Sequence, residues 1–353
     1  MKIRLLKKED EKAWEAYVNN HKNATIYHTL EWKKVLEDSY DTLKSLYLIA
    51  YDKEDKGKVI GVFPLFLVDS KLFGRRIESL PLSHYVDTLV NNKDINKKLI
   101  NFASKLTKEY NTKFLEIRSR IQKNTVLKDT NQNYNTIIVP LNKDTNSVWY
   151  KLKKVRRKSI KKAEKCGVII EERNDINSLK EFYKLLTKVR KKQGVPSYGF
   201  KFFENIRKHL FPKGYAKLYL AKLNKTTLFS LITFNYNNKI IAGYGMPNKD
   251  KKYSNYHASE LAYWKCFEWG CKNGFKEFDF GRCHINQKAL IDYKTRFGGL
   301  IKETPYYYYL NNINNIPTLD HTGSKFKIVK KVWKIFPTQV TEIISPRIFK
   351  HVI

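Results

Sequence analysis

Acidic residues are scarce in this chain. Its 353 residues include 34 Asp+Glu against 68 Lys+Arg, a formal net charge of +34. Part of that excess is lysine usage in an Asn/Ile/Lys-rich composition. The remainder calls for an anionic partner: nucleic acid, a phosphate-bearing substrate or an acidic membrane surface. Cysteine is scarce too. The four present, Cys166, Cys266, Cys271 and Cys283, show no paired zinc spacing, which excludes a zinc-ribbon site and implies reduced thiols. Long apolar runs are missing. The longest, Val59 to Val68, contains Gly61 and Pro64 and is too short to cross a bilayer. With no apolar leader at its start, the chain is expected to be cytoplasmic, with peripheral contact at the inner membrane face. No heptad run occurs, and no Ser-His-Asp or Cys-His arrangement has a supporting context.

Aromatic residues are plentiful (23 Tyr, 20 Phe, 6 Trp), which argues for folded sheets. The length suggests two domains. Residues 1 to about 40 read as helical, anchored by Trp14, Tyr17, Trp32 and Val35. Strand-like runs Leu46–Tyr51 and Val59–Val68 follow, then a basic turn at Gly74-Arg75-Arg76. A helix over about 94–110 leads into a strand at Lys113–Arg118, and residues 121–135 are polar enough to be a border. The second half repeats this order. A meander (217–223, 228–236, 239–246) turns at Asn237-Asn238. The helix from Ala258 follows, with Leu261, Trp264, Phe267 and Cys271 at helical spacing, and then the strand Phe275–Phe280. The match in element order suggests a duplicated α/β unit, and such lobes commonly bind ligands in a cleft.

Two stretches carry the chemistry. Residues 145–225 hold 23 Lys+Arg against 6 Asp+Glu, half the net charge in under a quarter of the length. Within them, Trp149–Gly167 reads as a helix with Leu152, Val155, Ser159, Ala163 and Cys166 inward. Lys153, Lys154, Arg157, Lys158, Lys161 and Lys165 cover its other faces, either as a solvated surface or as an anion site. The second stretch, Phe275 to Gly299, is expected to break at Gly281 and to present Arg282, His284, Asn286, Lys294 and Arg296 around a turn. Ligands commonly bind just beyond the C-terminal end of such a strand. A further helix, Glu181–Gln193, turns Phe182, Leu185, Leu186 and Val189 inward. The segment 324–353 alternates Lys with Phe326, Val329, Trp333 and Phe336, suiting a lipid interface or a helix docked on the body.

With these residues in view, the chain resembles the Fem family of peptidyl aminoacyltransferases and their Fem-like relatives with a GNAT-type acyltransferase domain. The resemblance rests on Tyr27-His28, Trp32 and Val59–Arg75 in the first half. In the second it rests on Arg156–Val168, Phe182–Pro196, D-F-G-R (Asp279–Arg282) and Y-K-T-R-F-G-G (Tyr293–Gly299). The ending K-K-V-W-K-I-F-P (Lys330–Pro337) is similar to that of Fem-like relatives associated with surface polysaccharide and exosortase systems. The resemblance implies an α+β fold of tandem GNAT-like lobes, mixed sheets flanked by helices. The expected division is a first lobe over 1–140, a catalytic lobe over 145–310 and a basic amphipathic tail over 311–353. It also implies transfer of an amino acid from aminoacyl-tRNA to an amine of a phosphate-bearing, possibly lipid-linked, cell-wall or envelope precursor. The Q/R-x-x-G-x-G/A loop of ordinary acetyl-CoA enzymes is not found. In place of the family's Gly-Pro and acidic residue stands L-S-H-Y-V-D, in which Asp87 is the loose match.

Carried over, the resemblance makes Lys294 the donor that stabilises the oxyanion formed when an amine attacks an ester. Asp279 takes the amine's proton or pairs with Arg282 to fix the loop. Arg157, Lys158 and Lys161 would bind a diphosphate. Arg282, His284, Asn286 and Tyr293, with Trp32, Tyr85 and Asp87 in the first half, complete the expected substrate contacts; His284 is a base or a structural histidine. No metal or cofactor is implied, since aminoacyl-tRNA or an acyl thioester enters as co-substrate. The alternatives are a thioester-dependent N-acyltransferase and a non-catalytic basic module that binds RNA or acidic lipid.

Overall fold

The computed structural model describes residues 1–55, 57–120, 127, 129–131, 133–316 and 333–353. Much of the expected border at 121–135, and residues 324–332 of the tail, lie outside the described residues.

The chain begins with β1 (Lys2–Leu5), α1 (Glu11–Asn20) and α2 (Leu30–Ser39), then β2 (Leu43–Ser45), β3 (Leu48–Tyr51), β4 (Val59–Phe63), β5 (Phe66–Ser70), β6 (Gly74–Glu78) and β7 (Leu89–Val90). Helix α3 (Lys93–Glu109) leads to β8 (Phe114–Arg118) and β9 (Asp129–Asn131). Next come β10 (Tyr134–Pro140), α4 (Thr145–Lys151), α5 (Lys154–Lys165), β11 (Ile169–Arg173), α6 (Ile176–Gln193) and α7 (Phe200–Leu210). The meander β12 (Ala216–Leu223), β13 (Thr226–Tyr236) and β14 (Lys239–Pro247) precedes α8 (Ala258–Lys272), β15 (Glu277–His284), α9 (Lys288–Thr295) and β16 (Leu300–Glu303). β17 (Tyr306–Leu310) and α10 (Thr338–Phe349) finish the chain.

Contacts divide these elements differently from the expected 1–140, 145–310 and 311–353. One unit comprises 1–135, 303–319 and 350–353; the other comprises 136–302 and 320–349. The reason is β17, which pairs with β8 on one side and β9 on the other and so belongs to the first unit's sheet.

The first unit has a four-stranded sheet, β1-β3-β4-β7, and a six-stranded one, β2-β5-β6-β8-β17-β9. The opening residues are therefore not all helical, since β1 pairs antiparallel with β3. The run Val59–Val68 is not one strand either. Pro64 has no N–H to give a ladder and ends β4; β4 then joins one sheet and β5 the other. Leu48, Phe63, Leu65, Ile77, Leu99 and Leu115 fill the core. A buried ionic ladder knits the larger sheet. Glu78 receives Arg76 and Arg118 at 2.6 Å each, and Glu116 receives Arg118 at 2.7 Å and the Tyr308 hydroxyl at 2.9 Å.

The second unit is built on a seven-stranded sheet, β11-β12-β13-β14-β15-β10-β16. The turn foreseen at Asn237-Asn238 has both residues at positive φ (46° and 64°), the backbone that a tight hairpin turn demands. α6 ends where the sequence suggested, with Gly194 left-handed at φ 74°. β14 runs parallel to β15 with α8 as the crossover, just as β6 runs parallel to β8 in the first unit with α3 between them. The β14–β15 register covers only Lys239↔Glu277 to Ile241↔Asp279, so beyond it the two strands no longer form a ladder. α8 lies on the sheet through Leu261, Trp264, Phe267 and Cys271.

The basic helix corrects its expected inner face. The buried residues of α5 are Arg156, Ser159, Ile160 and Ala163, while Val155 is 44% exposed. Leu152 is buried but precedes the helix as the cap of α4. α10 docks on its own unit: Phe349 lies 4.4 Å from Tyr198, whereas Ile343 stays exposed. Among the described residues no helix is long and apolar enough to cross a membrane.

Candidate functional site

The site is built on the outer end of β15. The strand does not stop at Gly281, as its sequence suggested, but bends there and continues to His284. Gly281 sits at φ 69°, a conformation only glycine adopts cheaply. Asp279, fully buried, holds the bend. Its carboxylate accepts the Gly281 N–H at 2.8 Å and the Thr136 hydroxyl from β10. Arg282, one residue beyond the bend, is half-buried.

The segment after β15 is more regular than the expected turn. His284 and Gln287 lock it: the His284 N–H donates to Gln287 Oε1 at 3.1 Å, and Gln287 N–H returns to the His284 carbonyl at 2.9 Å. The Asn286 N–H donates to His284 Nδ1 at 3.2 Å, so that nitrogen is an acceptor and the turn gives the ring a structural task. Asn286 is exposed. α9 then carries Tyr293 and Lys294 back to the strand.

Lys294 is buried. Its amine donates to the Phe280 carbonyl at 2.8 Å, lies 3.5 Å from the Gly281 carbonyl and contacts Cys283 Sγ at 3.0 Å. A cationic donor is thus held at the bend itself. Beside it, Tyr293 is clamped by Arg156 of α5, whose guanidinium carbon lies 4.0 Å from the ring centroid. Arg156 also donates to Glu260 of α8 at 2.8 Å. Glu260 in turn receives the Ser259 hydroxyl at 2.8 Å, and Ser259 lies 3.0 Å from the Tyr293 hydroxyl. Burial, and secondarily the Glu260 charge, raises the Tyr293 phenol well above its usual range, which keeps it neutral.

The structure thus groups Asp279, Arg282, His284, Tyr293 and Lys294 on β15 and α9. The expected diphosphate binders are placed otherwise. Arg157 donates to the Leu152 carbonyl at 2.6 Å and the Tyr150 carbonyl at 3.1 Å, closing the end of α4, because helical carbonyls left open there attract a cation. Lys158 and Lys161 are exposed on α5. Trp32, Tyr85 and Asp87 form a separate knot in the first unit. Asp87 accepts the Ser119 hydroxyl and the Arg120 N–H at 3.1 Å, and its carbonyl lies 2.9 Å from His28 Nε2. Arg120 reaches the Tyr85 hydroxyl at 2.9 Å, and Trp32 packs edge-on to Tyr27 at 5.0 Å.

Sequence reasoning missed Arg156, Ser259, Glu260 and Cys283. The spacing Arg156, Ile160, Ala163 was available as a signal: it puts the first arginine of the pair, not the second, in phase with the apolar positions. Glu260 had no comparable mark. Among the described residues no cluster of His, Cys, Asp or Glu could hold a metal ion.

Residues 151–295, which include every element of this site except Thr136, match the acetyltransferase (GNAT) domain family. The chain carries a GNAT-type acyltransferase domain. Among solved structures, FemX is similar to the chain with a TM-score of 0.66 at 16% identity, covering 88% of this chain and 98% of that one. A tandem GNAT protein from the clavulanic acid biosynthesis pathway matches with a TM-score of 0.55 at 10% identity, over 89% and 99% of the two chains. L-PGS from Bacillus licheniformis also gives 0.55 at 10% identity, over 94% and 99%. The fold is therefore the α+β tandem arrangement that its GNAT domain shares with these proteins. No curated protein sequence matches the chain.

Proposed function

We propose that the GNAT domain transfers an amino acid from the ester of an aminoacyl-tRNA to an amine of a phosphate-bearing envelope precursor. The observation that carries this reading is the Lys294 amine, buried at the bend of β15 with carbonyls around it. When an amine attacks an ester, the carbonyl oxygen gains a full negative charge. A preorganised ammonium in a water-poor site stabilises that charge far better than solvent does. Asp279 serves as the holder of the bend. Thr136 and Gly281 already use its carboxylate, and loss of the Gly281 contact would release the carbonyls that position Lys294. Arg156 and Glu260 fix Tyr293, and through it the register of α9.

The donor is read as a nucleic acid because the exposed side of α5 offers Lys154, Lys158, Lys161, Lys162 and Lys165 with one acid, Glu164, among them. The Fem-like motifs of the sequence support the same donor, and likeness to FemX over most of both chains supports the fold on which such a transfer would run. The segment between β14 and α8, N-K-D-K-K-Y-S-N-Y-H, contains no glycine and folds partly as a short 3-10 turn over Lys251–Tyr256. That supports an ester donor over one held by a glycine-rich pyrophosphate loop. The acetyltransferase description of the matching family favours the second reading, a thioester donor on the same site.

The deciding experiment offers the purified protein charged tRNA or acyl-CoA pools together with lipid-linked precursors, and finds the modified amine by mass. Amine modification that requires tRNA, and falls about 10²–10³-fold in Lys294→Ala, is the expected result. Modification driven by acyl-CoA alone would replace this reading with the second.

A further inference from the structure

Lys294 has three N–H groups and three acceptors: the Phe280 carbonyl at 2.8 Å, the Gly281 carbonyl at 3.5 Å and Cys283 Sγ at 3.0 Å. No carboxylate stands among these partners. A buried ammonium normally keeps a charged neighbour, yet here its third hydrogen meets sulfur. Cys283 is itself 1% exposed. We propose that Cys283 is a positioning residue, holding the third hydrogen of Lys294 at rest and yielding it to the oxyanion during transfer. The inference rests on the role proposed above for Lys294.

Sulfur is the weakest of the three acceptors. An incoming oxyanion therefore displaces the thiol at less cost than the Phe280 carbonyl, which keeps the amine anchored to the bend while it turns. Replacing Cys283 with alanine removes one of the three acceptors of the buried Lys294 amine; serine restores an acceptor of similar size. Beside the pair, burial holds the Tyr263 phenol of α8 neutral, and Arg156 of α5 lies on the neighbouring Tyr293 ring.

The test separates this role from that of Lys294. In the transfer assay with the full-length proteins, Cys283→Ala should lower kcat about tenfold with little change in KM, and Cys283→Ser should recover most of the rate, with melting temperatures recorded to confirm folding. An unchanged kcat in a folded Cys283→Ala protein, while Lys294→Ala loses the activity, overturns the assignment of Cys283 alone. Full transfer by Lys294→Ala would instead sink the proposed catalytic use of Lys294 and this inference with it.

Discussion

The Arg156 guanidinium carbon lies over the Tyr293 ring, 4.0 Å from its centroid, and the same group pairs with Glu260 at 2.8 Å. One arginine therefore joins α5, α8 and α9, the three helices around the bend of β15. Both members of the ion pair are about nine-tenths buried. Removing either alone leaves the other as an uncompensated charge, so Arg156→Ala and Glu260→Ala should each cost about 3–5 kcal/mol. The double variant Arg156→Met/Glu260→Leu should recover much of that loss. Urea denaturation of the three proteins measures it, and equal stability of single and double variants would contradict the burial argument.

Gly281 offers a test of the bend. Alanine there must hold a left-handed backbone, at a cost of about 1–2 kcal/mol, or straighten the strand. Straightening would carry the Phe280 and Gly281 carbonyls away from Lys294. The expected outcome is a modest drop in melting temperature with a much larger loss of transfer activity. Asp279→Asn, which keeps an oxygen to receive the Gly281 N–H, should be milder than Asp279→Ala.

Charge on α5 should govern affinity and not folding. Lys158→Gln, Lys161→Gln and Lys165→Gln remove exposed cations. Together they should flatten the slope of log K against log salt for tRNA by about two to three, if each neutralises one phosphate. Stability should hold or rise slightly, because the like-charged pair Lys161/Lys165 at i,i+4 disappears. A salt slope equal to that of the unsubstituted protein would move the RNA-binding surface elsewhere.

Acid should loosen the first unit at one identifiable place. Arg4 donates to both oxygens of Asp10, which also accepts the Tyr51 hydroxyl at 2.6 Å and the Lys7 N–H at 2.9 Å. The Arg4 hydrogen bonds, aided by the Tyr51 and Lys7 contacts, hold this carboxyl far below its usual range. A depressed carboxylate stabilises the fold above the unfolded-state pKa of about 4, and that contribution is lost as pH falls through the folded value. Asp10→Asn should therefore lower the melting temperature at pH 7 and leave a smaller difference from the parent near pH 2. An equal difference at both values would refute the linkage.

Helices and hairpins with strong local signals were legible in the sequence: α6 with its Gly194 stop, the Asn237-Asn238 turn, and α8 with its apolar stripe. The duplicated element order and the wider resemblance also led to the right fold class. What local pattern could not supply was partnership. Nothing in Tyr306–Leu310 says that it belongs with β8, because pairing across some 190 residues leaves no mark in a single sequence. The Arg156-Arg157 pair shows the same limit at the site. A phase error of one residue exchanges a buried clamp for a cap on α4. Lys294 was singled out through the family motif, whereas Cys283 was read only as one of four reduced thiols, since a thiol gains meaning only from what it touches.

β17 lies between β8 and the edge strand β9, in a sheet whose other strands all precede residue 132. A ribosome therefore makes every strand of the seven-stranded sheet before it makes the one that completes the six-stranded sheet. During synthesis the earlier half waits with β8 and β9 unjoined until β17 emerges. A chain stopped at residue 302 would leave that waiting state permanent, with the Glu116 carboxylate deprived of Tyr308 and an open edge ready to pair with other chains.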